Sequence, residues 1–161
     1  MPNSFIYRFV PNNARDLLAG GKLQTLQVMS KLHTGPMVFN SADALTQDMV
    51  DLHTYGITFV WVTIHDTNVD RFADFDANAL AKAKSGSPFK RPENGVFRPG
   101  SSFREFFFSE TVDTNATSTA NPQHGGFGGV MKLAQSSPGA GGGRRTLFFK
   151  GDREHTAFDN V

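Results

Sequence analysis

The chain has 161 residues, 39% of them apolar and 19% charged, with a net charge of +1 at pH 7. That length suits one domain with its own core, and the near-neutral charge argues against a general attraction to nucleic acid or an anionic membrane. The absence of cysteine removes disulfides, thiolate chemistry and cysteine-ligated metals. The sixteen phenylalanines, against two tyrosines and one tryptophan, are expected to be mostly core.

"SFIYRFV" (Ser4 to Val10), aromatic and β-branched and stopped by Pro11, predicts a first strand. Asn12 or Asn13 then caps a short helix, "ARDLLAGG", and "KLQTLQVMSKL" continues as a second, since Leu23, Leu26, Met29 and Leu32 recur at helical spacing. "PMVF" reads as a short strand. A third helix, "ADALTQDMVDLHTY", has Ala42, Leu45, Met49 and Leu52 on one face and Gly56 at its C-terminal end. "ITFVWVTIH" is apolar on both faces, the pattern of a strand covered on both sides at the centre of a sheet. "DANALAKAK" (Asp76 to Lys84) is a capped helix.

Turn residues dominate from Ser85 to Ser102, and two glycine-rich or polar stretches flank the short "VMKLA". "FREFFFSET", "RTLFFK" and "EHTAF" complete the strands, the last two joined at Gly151. The expected fold is therefore a single α+β domain over residues 1–161, its mainly antiparallel, split or mixed sheet carrying N-terminal helices. Mobile loops are expected near 85–102 and 110–143. "MPNSFIYRFV" has neither the basic start nor the apolar run of a signal peptide, and no stretch is long enough to cross a bilayer. A soluble protein, cytoplasmic or delivered by a secretion system, is the expectation.

Few patterns suggest chemistry. The five histidines lack metal-ligand spacing, so no metal is expected. The glycine-rich stretches do not sit between a strand and a helix as a phosphate-cradling turn must. Glu105 and Glu110, five apart on one strand, fall on opposite faces and read as surface charges.

One set of elements extends over the whole chain: "FIYRFV", "VFNSADALTQDM" before an apolar strand, and "GDREHTAF" near the end. Their order resembles that of the cholera-toxin-like ADP-ribosyltransferases. The resemblance implies NAD as substrate, with Arg8 and Ser41 at the cofactor and Glu154 and Asp152 as the catalytic pair, Asp152 helping to place the acceptor. An arginine fork suits pyrophosphate oxygens, and a carboxylate stabilises the oxocarbenium character that develops at the ribose. The acceptor is left open, because Asp152 stands where the family has its first glutamate, and a neutralising partner protein is possible for such a toxin or effector.

Two other readings stand beside it. One is a small ribonuclease-type toxin using His155, Arg145, Arg153 and Lys150, although the near-neutral charge makes a nucleic-acid partner unexpected. The other is a non-enzymatic, phenylalanine-rich binding or assembly module, as in a phage or secretion system.

Overall fold

A computed structural model describes residues 4–31, 34–38, 57–111, 127–152, 154–156 and 158–159. Among these residues seven strands form one sheet: β1 (Tyr7–Pro11), β2 (Gly21–Val28), β3 (Ile57–Asp66), β4 (Pro92–Phe97), β5 (Glu105–Glu110), β6 (Gly129–Ala134) and β7 (Gly142–Lys150). Their spatial order is β1-β2-β3-β7-β6-β5-β4, and every neighbouring pair is antiparallel.

The sheet curls into a half-barrel. At one end the segment that leads into β4 bonds to the start of the chain and to β2: the Phe89 amide donates to the Ser4 carbonyl (2.8 Å) and the Ser87 amide to that of Leu26 (2.9 Å). Within the curl lies the main core, including Leu26, Val28, Met37, Phe59, Phe108 and Met131. On the convex side the helix α1 (Ala77–Ala83) covers Phe5, Tyr7, Leu23 and Ile64. Asp76 caps that helix by accepting from the amides of Asn78 and Ala79. Among the described residues no helix is long and apolar enough to cross a membrane.

This overturns the α+β expectation, and the physical reason lies in β2. Leucines at i and i+3 fit a helical stripe, but on a strand they fall on opposite faces. Leu23 joins the convex cluster under α1, while Leu26 and Val28 enter the core inside the curl. Two buried faces reproduced the spacing of one helical face. The preceding "ARDLLAGG" contributes only a 3₁₀ turn, Leu17–Ala19, capped by Asp16 and ended by Gly20 at φ 81°. The third expected helix, with Ser41, lies outside the described residues.

Other expectations correspond to observed elements. β3 is an interior strand of the sheet, between β2 and β7. β5 and β7 follow "FREFFFSET" and "RTLFFK", and α1 follows "DANALAKAK". The turn-rich 85–102 stretch contains β4, with Gly95 at its middle. A Cβ there would meet the Phe106 ring at 2.3 Å, so glycine is what lets that ring lie across the strand.

Candidate functional site

Strand alternation sets the chemistry of the concave face. Register places Arg8, Gln24 and Thr63 side by side across β1, β2 and β3, with Leu26 and Trp61 in the next row down. Arg8 is the charged residue in the otherwise apolar alternation of "IYRFV". Tyr7, its neighbour, turns to the convex cluster, where burial and then Asp76 push its phenol upward.

Arg8 is held from three sides. Its Nε donates to Gln24 Oε1 (2.7 Å), Gln24 Nε2 donates to Thr63 Oγ1 (3.0 Å), and Arg8 Nη1 donates to the Pro138 carbonyl (3.1 Å). The guanidinium carbon lies 4.7 Å from the centre of the Trp61 ring, a cation–π contact. Trp61 is fixed in turn, its indole N–H donating to Gln135 Oε1 (3.1 Å) while Gln135 Nε2 donates to Pro138 (3.2 Å). Among the described residues, two of the five guanidinium N–H groups thus find acceptors, which leaves three that none of those residues engages. Among the described residues no carboxylate pairs with Arg8, and burial alone draws its pKa below the usual arginine value.

The guanidinium borders a cavity of about 490 Å³, at the end of the half-barrel where the edges stay apart. Ile6, Trp61, Phe97, Phe103, Phe106 and Leu133 supply its apolar lining, and Arg104 lies at the rim. Phe97 packs on both Phe103 and Phe106, at centroid distances of 5.4 and 5.0 Å. Phe103 is carried on the β4–β5 connection with φ at 58°, directly after Ser102 at 52°. A phenylalanine in the left-handed region is strained, and here the strain holds an aromatic ring against the cavity.

Of the residues singled out in the sequence, Arg8 is at this cavity and Ser41 lies outside the described residues. Asp152 and Glu154 sit beyond the far end of β7, both exposed. Asp152 Oδ1 accepts from the amides of Glu154 (2.9 Å) and His155 (2.8 Å), and it lies 3.0 Å from His155 Nδ1. That side-chain turn competes with extended backbone and makes a bend of the stretch expected as the strand "EHTAF". The His155 contacts, main chain first, and then the Glu154 amide hold the Asp152 carboxyl below its ordinary range. Arg8 bonds to the loop that precedes β7, whereas Glu154 follows β7. The nine residues of that strand span roughly 27 Å at about 3.4 Å each. Arg8 and the carboxylate pair are not brought together.

Arg145 and Glu110 are fully buried in the core. Burial draws the Arg145 pKa down to about 10, and the Glu110 carboxylate opposes the shift. Arg145 Nη1 also contacts Met131 Sδ at 3.3 Å, and Glu110 accepts from the Lys90 amide. The surface reading of Glu110 is therefore wrong, although its opposite facing from Glu105 is right. Glu105 is bound by Arg98 (2.8 Å) and Lys132 (3.2 Å). Buried in this way, Arg145 is sealed from any phosphate. Among the described residues no group of three metal-ligating side chains occurs.

Sequence reasoning missed Gln24, which it put on a helix, and Trp61, Phe97, Phe103 and Gln135. The available signal was a lone arginine on an apolar strand, together with the single tryptophan at the centre of the strongest strand. The chain matches no protein-family model, no curated protein and no solved structure.

Proposed function

We propose that this chain is a binding module whose working site is the open mouth of the half-barrel, and that it takes a group with an apolar body and an anionic end. One observation carries the reading: Arg8, drawn partly out of water and without a carboxylate partner among the described residues, keeps three N–H donors that none of those residues engages at the rim of an aromatic-lined cavity. A desolvated cation is costly unless an anion meets it. Mouths of β-barrels are a recurring place for apolar ligands oriented by a few polar groups. The separation of Arg8 from Glu154 along β7 weighs for binding over transfer from NAD.

Trp61 is the chain's single tryptophan and lies in the cavity, so its emission reports occupancy without a label. Titration with anilinonaphthalene sulfonate, an apolar anionic dye, should enhance dye emission through excitation of Trp61, and decanoate should displace the dye where decanol does not. Arg8→Met should weaken dye binding about tenfold or more, since a hydrogen bond to a charged group contributes about 1.5–3 kcal/mol. Equal binding by wild type and Arg8→Met would reject the reading. NAD titrated in parallel keeps the transferase reading open to test: nicotinamide release that stops in Glu154→Gln would favour it instead.

A further inference from the structure

The two edges of the half-barrel are parallel to each other. Among the described residues the sheet has seven strands and every pairing is antiparallel, so β1, β3, β6 and β4 run one way, and β2, β7 and β5 the other. An odd-stranded antiparallel sheet cannot close by joining its own edges antiparallel. One more strand, antiparallel to both β1 and β4, closes it with alternation unbroken.

The backbone is set up for that pairing. Ile6 accepts from the Leu26 amide and the Asn12 amide donates to Gly20, so the even-numbered residues of β1 bond to β2. By the alternation of antiparallel ladders, the amide and carbonyl groups of Tyr7 and Phe9 point to the open edge. The Arg98 amide donates to Glu105, which by the same rule turns the backbone groups of Gly95 and Phe97 to the open edge of β4. Pro11, without an N–H, ends the available stretch of β1, as prolines do on edge strands. The unbroken run Ile6–Pro11 and Phe97 both line the cavity, so the cavity is also the gap between the edges.

We infer that the occupant is an extended peptide segment of a partner protein, added as a strand between β1 and β4, with an acidic side chain turned inward to Arg8 and apolar side chains on the same face. The inference rests on the cavity reading and gives its ligand a class. Main-chain hydrogen bonds along an open edge supply affinity, and the pockets met by alternate side chains supply specificity. The inward acid follows from charge complementarity with the three remaining N–H groups of Arg8.

The probe is a capped peptide of about six residues, an ordinary strand length, alternating valine and threonine with one central glutamate on the valine face. Two variants accompany it, one with glutamine for the glutamate and one N-methylated at alternate amides. Binding is followed by Trp61 emission and by hydrogen exchange of the Tyr7 and Phe9 amides. The inference predicts that the parent peptide slows exchange at both amides by tenfold or more, and that each variant binds at least tenfold more weakly. Peptide binding insensitive to N-methylation, with exchange at Tyr7 and Phe9 unchanged, would overturn strand addition. Dye binding that depends on Arg8 without any peptide binding would also overturn it, while leaving the cavity reading intact. Binding of neither probe would remove both. Slow exchange at the two amides in the free protein, with a dimer in sedimentation, would overturn the foreign partner in favour of a second copy.

Discussion

Arg8 combines a cost with a use. It is drawn partly out of water beside Trp61 with no carboxylate among the described residues to offset it, so Arg8→Met should keep or raise the thermal midpoint while weakening dye binding about tenfold or more; a large fall in the midpoint would make it a structural residue. Arg145 should behave in the opposite way. Arg145→Met leaves Glu110 buried without its cation and is expected to destabilise by about 3–5 kcal/mol in denaturant unfolding. Adding Glu110→Gln should recover much of that loss, and additive effects would show that the two do not interact. Asp152 offers a test of sign. Its folded value is depressed below the ordinary 3.8, so its contribution to stability is present above that value and is lost as pH falls through the folded one. A carboxyl-resolved NMR titration should place the Asp152 midpoint below 3.8 in wild type and closer to it in His155→Ala. The same turn explains why the crowded C-terminal stretch misleads as sequence: residues 152 and 154 share a face only if extended, and the Asp152 side chain makes a bend there instead.

Among the elements, the legible ones were those whose propensity and environment agree. β3 reads from its unbroken apolar run, α1 from its Asp76 cap and alanines, and β5 from its phenylalanines. β2 was illegible because a strand buried on both faces presents leucines at a spacing that helices also use. β4 was hidden by Pro92 and Gly95, residues that usually mark turns but are tolerated on an edge strand, where one ladder is missing. The β4–β5 connection has its own consequence. Phe103 in the left-handed region costs about 1–2 kcal/mol that glycine would not incur. Phe103→Gly should therefore leave the thermal midpoint unchanged or higher while weakening dye binding severalfold. A lower midpoint with undiminished binding would mean that the ring serves packing and not the ligand.

At the scale of the whole molecule, the half-barrel divides its labour along its length. One end is stitched by the Ser4–Phe89 bridge and filled by the core; the other keeps its edges apart around Arg8 and Trp61. Arg8 itself was singled out in the sequence only through the resemblance, although a single charge in an alternating apolar strand marks one position of one face. Its partners were not, because Gln24, Trp61 and Gln135 come together only when β1, β2, β3 and the β6–β7 connection are placed side by side. Ordering along the chain could not show that β7 separates Arg8 from Glu154, since that depends on which end of the strand each residue meets.

The most direct measurement uses the single indole N–H signal of Trp61 in a nitrogen–proton correlation spectrum, with decanoate titrated into wild type and Arg8→Met. A saturable shift of that signal in wild type, reduced about tenfold or more in affinity by Arg8→Met, is the predicted result. An indole signal unmoved by decanoate in wild type, or moved equally in both proteins, would contradict an anion-oriented apolar site at the mouth of the half-barrel.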